Sequence, residues 1–186
     1  MAPLLQPLEC CLLLIEPTRQ HLARLDQQGQ QEQIRRYQRL ERAANTVSVP
    51  LYFGLRGNLP PFQSLWAQSS TEATPCFSSV DSAGRWVNTI LAAALASENR
   101  TNLILSGFWL EGNVTFAALN ALADGFDVFV LLDLSLPSDG DAGPAAVQRL
   151  HQAGVVPSTS VQLIQEWAAV TADPAAREQL LALLLP

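Results

Sequence analysis

Two polar side chains stand where an apolar run gives way to the next element. Glu16 closes the run Leu12–Ile15, and Asn113 opens a helical pattern that follows the run Leu103–Ser106. A carboxylate ending a strand in apolar surroundings tends to keep its proton and can act as a general acid near neutral pH. Alternatively, Glu16 pairs with Arg56, Arg85 or a backbone amide and holds a pocket closed, and this is the preferred reading. Asn113 stands where a nucleophile is expected. It can donate to an oxyanion beside the N–H groups of a helix start, or it can simply cap the turn. The other strand-end side chains are Arg56, Asp81, Arg85, Trp109 and Glu111. Arg56 or Arg85 suits a substrate carboxylate. Trp109 either fills the pocket mouth, the preferred reading, or stacks on a flat ligand, with Leu110 and Glu111 beside it.

The elements that must position these residues are legible in residues 101–135. Leu103–Ser106 reads as a short strand ending at Gly107. From Glu111, apolar residues recur at Val114, Ala117, Ala118, Ala121 and Leu122 with helical spacing. Asp124-Gly125 closes that helix, and Val128–Leu132 is a second buried strand ending at Asp133. This is one βαβ unit, which builds a parallel sheet by right-handed crossover. Ligands of such sheets sit beyond the carboxyl ends of the strands, so residues 107–113 lie where chemistry belongs.

The rest of the chain alternates in the same way. The pattern predicts a strand over 9–16, a long helix within 19–45, a strand over 47–55 and a long loop over 56–84. A helix over 85–97 follows, and after the βαβ unit come a loop at Pro137–Gly143, a helix over 144–153, a strand over 154–158 and a helix over 160–170. A Leu-rich helix over 174–185, opened by Pro174, either caps the domain or docks on a partner subunit. On the 19–45 helix, Ile34, Tyr37, Leu40 and Ala44 share one side. Arg35, Arg36, Arg39 and Arg42 lie mostly on the other, as an anion site, a salt-bridged interface or, the favoured reading, a solvated face. Residues 1–186 are expected to form one α/β domain. It has three αβα layers around a mainly parallel sheet of about five to six strands.

In order and spacing these segments resemble the isochorismatase-like, or cysteine hydrolase, superfamily. Its pattern G-x-x-T-x-x-C-V, then A-L-x-x-G-Y/F-x-V, then a strand ending in Asp, is met here by Gly107, Val114, Ala121-Leu122, Gly125-Phe126, Val128 and Asp133. Leu12–Glu16 resembles the family's first strand, Val49–Phe53 its second, and residues 143–166 its closing helix–strand–helix. In relatives the pair at Trp109-Leu110 often contains a cis peptide bond. The resemblance implies a triad: an Asp ending strand one, a Lys after strand two, and the Cys that opens the helix. Asp and Lys lower the thiol's pKa and move its proton, since the thiolate is the attacking species.

On that alignment the Asp position reads Glu16 and the Cys position reads Asn113. The Lys position falls near Val80 or Asp81, and the chain contains no lysine at all. Arginine stays protonated and cannot exchange a proton, and an amide cannot become a thiolate. The expectation is therefore a family member without the thiol mechanism, acting as an oligomeric scaffold or a small-ligand binder. The alternative is a thiol-independent hydrolase of a small amide or vinyl ether, with Glu16 as general acid, as in the family's vinyl-ether branch. Some relatives bind zinc through Asp-x-His near the end of strand two. The matching stretch, Arg56-Gly57-Asn58, offers no ligand, and His21 and His151 fall on predicted helices away from strand ends. Neither a metal nor another cofactor is expected.

Composition bounds the partners. With 17 acidic against 11 basic residues the net charge is −6, which argues against nucleic acid and anionic membranes. The run Cys10–Ile15 is too short to span a bilayer, and no basic leader precedes it. Cys10 and Cys11 point to opposite faces of one strand and are read as buried thiols of a reducing, cytoplasmic environment, while Cys76 falls in the long loop. Relatives are usually dimers or tetramers, so a homo-oligomer with a small-molecule ligand is the expected assembly.

Overall fold

The first strand sets the layers. In β1 (Cys10–Ile15) all six residues are buried, and successive side chains enter opposite cores. Cys10, Leu12 and Leu14 join one core with Phe53, Tyr37 and Trp167, whereas Cys11, Leu13 and Ile15 join the other with Leu91, Leu105 and Val114. A strand apolar on both faces requires cover on both, and the chain supplies it.

The computed structural model describes residues 4–55, 76–78 and 89–185. After β1 come α1 (Arg19–Leu22), α2 (Gln27–Thr46), β2 (Leu51–Leu55) and β3 (Cys76–Ser78). Then follow α3 (Ile90–Ser97), β4 (Asn102–Phe108), a π-helical turn (Leu110–Val114) and α4 (Thr115–Ala123). The chain continues through β5 (Asp127–Leu136), α5 (Ala142–Ala153), β6 (Val156–Ser158), α6 (Ser160–Val170) and α7 (Pro174–Ala182). The strands form one six-stranded sheet in the order β3-β2-β1-β4-β5-β6, and every recorded pairing is parallel. Residues of α2, α6 and α7 pack in the first core, and those of α3, α4 and α5 in the second. The architecture is the expected three-layer α/β.

Several boundaries differ from the sequence reading. The helix expected within 19–45 is two helices, because Asp26 starts a new one by accepting a hydrogen bond from the Gly29 amide at 2.7 Å. The second strand begins at Leu51, after Ser48 takes a left-handed φ of 55°. The expected loop 56–84 contains β3, so Cys76 opens a strand, opposite Phe53 of β2. The remainder of that loop lies outside the described residues, as does the first part of the helix expected over 85–97. Strand β5 runs three residues past Asp133, through a register irregularity opposite Leu105 and Gly107. Gly154 closes α5 with φ 99°, which delays β6 to Val156.

The close approach of β1 and β4 depends on Gly107. It pairs with Ile15 at φ 130°, and a Cβ there would stand 2.0 Å from the Ile15 carbonyl oxygen. No other residue fits.

Candidate functional site

The strand order reverses between β1 and β4: the chain winds outward through β2 and β3, then returns to the far side of β1. In open parallel sheets this switch point opens a crevice at the carboxyl ends of the strands, and ligands bind there. Its two rims are Ile15-Glu16 and Phe108-Trp109.

Glu16 turns the chain out of β1. It is 8% exposed, at φ 53°, where few residues other than glycine settle. The turn is fixed on both sides, as the Glu16 amide donates to the Gly54 carbonyl of β2 at 2.8 Å and its own carbonyl accepts from the Thr18 amide at 2.7 Å. Thr18 then caps α1, accepting from the His21 amide.

This cap returns His21 to the crevice. Its Nδ1 lies 2.9 Å from the Glu16 carbonyl oxygen and 3.0 Å from the Thr18 hydroxyl. A carbonyl can only accept, so Nδ1 is the donor in the contact with Glu16. The imidazole stacks on Phe108 (centroids 5.6 Å apart, planes 13° apart) and meets Trp109 edge-on at 5.0 Å. The sequence reading placed His21 on a helix away from strand ends. The structure corrects this, because α1 is a single turn and its third residue still faces the end of β4. The legible signal was Thr18, a capping residue three positions before His21 and three after the strand end.

On the other rim, β4 ends in a cis peptide bond between Phe108 and Trp109, one position before the Trp109-Leu110 pair considered from sequence. Half-buried Trp109 is T-shaped against Phe108, and the guanidinium of Arg24 lies 5.1 Å from its ring centroid. Arg24 was not anticipated, because its role depends on where Trp109 sits. The next residues form a π turn, in which the Val114 amide donates to the Trp109 carbonyl and the Thr115 hydroxyl donates to the Leu110 carbonyl at 2.5 Å. Such turns widen the helix start and recur at functional sites.

The anticipated residues separate accordingly. Asn113 lies in this turn, half-buried, and its side-chain amide donates to the Phe108 carbonyl at 3.4 Å, a long contact that leaves the group little constrained. Leu110, 3% exposed, packs in the second core instead of facing the crevice. The Glu111 carboxylate accepts from the Ser138 amide at 3.0 and 3.2 Å and from the Ser138 hydroxyl, so it ties down the loop after β5. Arg56, Asp81 and Arg85 lie outside the described residues. The crevice thus brings together Glu16, His21, Phe108, Trp109 and Asn113, with Arg24 above.

Away from the crevice, the arginines of α2 are not a uniformly solvated face. Arg36 is paired with Glu32 at 2.9 Å and also donates to the Asp133 carbonyl, and Arg39 donates to the Ser160 hydroxyl at 3.2 Å. Asp133 in turn accepts from the Ser160 amide (2.8 Å) and hydroxyl (2.5 Å), pinning α6 to β5. Burial pushes the Cys10 and Cys11 thiols up to about 11 and about 12, so both remain protonated within β1. Among the described residues no three His, Cys, Asp or Glu side chains gather as a metal-ligand set, and no helix is long and apolar enough to cross a membrane.

Comparison with known proteins places this geometry. Residues 10–162 match the model of the Isochorismatase domain family. The probable hydrolase YcaC of Escherichia coli (strain K12) is 35% identical over 81 residues, 44% of this chain and 39% of that protein, so the match spans well under half the length of the curated relative. The crystal structure of the YcaC gene product from Escherichia coli, an octameric hydrolase of unknown specificity, superposes with a TM-score of 0.75 at 21% identity, covering 100% of this chain and 94% of that one. The MAR1 ribonuclease of Caenorhabditis elegans superposes with a TM-score of 0.78 at 19% identity, covering 100% and 93%. At these identities the two structures speak for the fold alone. With the family model covering most of its length, from the first residue of β1 into α6, this chain belongs to the Isochorismatase domain family.

Proposed function

We propose that this family member does not carry out thiol-based hydrolysis and works instead as an oligomeric protein that binds a small ligand in the β1/β4 crevice. The reading is carried by the amide of Asn113 in the turn after β4, the residue that the resemblance to the family pattern aligns with its Cys. An amide cannot become a thiolate, and the β1 thiols are buried and held protonated. What the crevice offers is a pair of half-buried rings, Trp109 and His21, backed by the buried ring of Phe108, with the Arg24 cation at its edge. That set suits a small planar ligand held by stacking and a few polar contacts.

Self-association is supported by the helices of the second layer. Both α3 and α4 are apolar nearly all round, and Ile90 (75% exposed) and Phe116 (59% exposed) stand on their outer sides. Helices of that kind are normally covered. The YcaC gene product, with the same fold, is octameric. Sedimentation should show an oligomer that Phe116→Glu breaks down. A monomer at micromolar concentration would remove this part of the proposal.

A second reading has its own support. Glu16 is buried at the switch point with its backbone fixed by hydrogen bonds, a suitable setting for a general acid toward a vinyl ether or amide. The deciding experiment incubates the purified protein with amide, ester and vinyl-ether substrates, nicotinamide and isochorismate included, beside Glu16→Gln. No turnover by the folded protein supports the binding role for the substrates tried. Turnover that disappears in Glu16→Gln replaces it with thiol-independent hydrolysis.

A further inference from the structure

A second concave site differs from the crevice in kind. Arg35, Arg39 and Arg42 follow one another at i, i+4 and i+7 along α2, so their side chains form one stripe. The stripe lines a groove of about 310 Å³ against the end of α7, with Gln38 beside the arginines and Leu183 and Leu185 opposite. Among the described residues no Asp or Glu lines the groove. The neighbouring arginine, Arg36, has its acid in Glu32, but among the described residues Arg35 and Arg42 form no ion pair. The chain carries a net charge of −6, so three guanidiniums gathered on one groove run against its overall balance, with Glu32 the acid nearest to Arg35 on the helix.

Arg39 is the fixed member. Its Nη2 donates to the Ser160 hydroxyl, which Asp133 holds in turn, and its Nε is buried without a hydrogen-bond partner. A guanidinium oriented from behind by one hydrogen bond keeps further N–H donors for an acceptor, and among the described residues none is recorded on them. Arg35 and Arg42 are exposed and free to close from either side. The opposite wall is apolar, since Leu183 packs on the first core and Leu185 is 73% exposed.

We infer that the α2/α7 groove is a binding site for a small phosphate monoester, its phosphoryl oxygens held by Arg35, Arg39 and Arg42 and its apolar body lying on Leu183 and Leu185. Three guanidiniums match the double negative charge and three terminal oxygens of a monoester better than they match a single carboxylate.

The test is calorimetric titration of the purified protein with phenyl phosphate at low salt, with benzoate and inorganic phosphate as comparison ligands. Arg35→Gln/Arg42→Gln is the binding variant, chosen because both side chains are exposed and neither holds α6. The expected result is saturable binding of phenyl phosphate, at least tenfold weaker in the double variant and weaker still in added salt. Inorganic phosphate and benzoate should bind more weakly, the one lacking the apolar body and the other the second charge. Glu16→Gln should bind phenyl phosphate unchanged, which separates this groove from the crevice. Absence of saturable binding to the folded wild type would overturn the inference, as would affinity unchanged in the double variant, or affinity lost in Glu16→Gln.

Discussion

The Nδ1 of His21 lies 2.9 Å from the carbonyl oxygen of Glu16, five residues earlier, so the residue that turns the chain out of β1 also orients a ring lining the crevice. One backbone carbonyl thereby links the two sides of the switch point: Glu16 directly follows β1, and the ring it orients stacks on Phe108 of β4. Any change in the turn at Glu16 should reach Trp109 through this ring.

Replacing His21 should report that link. His21→Ala removes a hydrogen bond and two aromatic contacts and should lower stability by about 2 kcal/mol in urea unfolding. His21→Phe keeps the stacking but not the hydrogen bond, and should recover about half of the loss. Equal effects of the two substitutions would mean that the hydrogen bond, not the ring, carries the contribution.

Gly107→Ala should be among the most damaging single changes in the sheet. The added methyl would meet the Ile15 carbonyl oxygen at 2.0 Å, and alanine does not settle at φ 130°. The two strands must part or the backbone must turn. A loss of about 3 kcal/mol or more is expected in urea unfolding. A loss below about 1 kcal/mol would show that β1 and β4 can separate without cost.

How far the sequence could be read follows from these same residues. The βαβ unit over 101–135 was legible because its signals are local: apolar runs, helical spacing and a closing Asp-Gly. The alternation in β1 likewise sent Cys10 and Cys11 to different cores, as periodicity demands. The only local sign of His21 was the Thr18 cap, because a one-turn helix has no periodicity to betray it, and its partners Phe108 and Trp109 arrive from nearly ninety residues later. Strand β3 was missed for a related reason: three residues carry too little pattern, and only pairing with Phe53, Gly54 and Leu55 makes them a strand. Glu111 shows the limit in the opposite direction. Its type and position suggested a ligand contact, whereas its carboxylate is engaged by Ser138, a relationship that spacing cannot reveal.

Alkaline pH should test the buried thiols. Both are raised by burial from 9.0, Cys10 to about 11 and Cys11 to about 12. Between pH 9 and these values the unfolded chain has released protons that the folded chain retains, so stability must fall as pH rises. Their contribution is fully present below pH 9 and is lost as pH passes through 11 to 12. Urea midpoints taken from pH 8 to 10.5 should decline, and the decline should be shallower in Cys10→Ala/Cys11→Ala. An identical slope in the double variant would assign the alkaline loss to other groups, Tyr52 first among them, since burial and Glu98 raise its phenol as well.

The Glu111–Ser138 contact should govern the loop between β5 and α5. The carboxylate accepts from both the amide and the hydroxyl of Ser138, and Ser138 itself is exposed, so competition with water limits the net gain. Glu111→Ala should therefore cost only about 1 kcal/mol of global stability. Its local effect should be larger, because the contact joins the π turn after β4 to the segment after β5 and so bridges two neighbouring strand ends. Hydrogen exchange at the Ser138 amide should accelerate at least tenfold in Glu111→Ala, while amides of β1 and β4 keep their protection. If Ser138 exchanges at the same rate in both proteins, the loop is held by the first turn of α5, and Glu111 is available to a ligand after all.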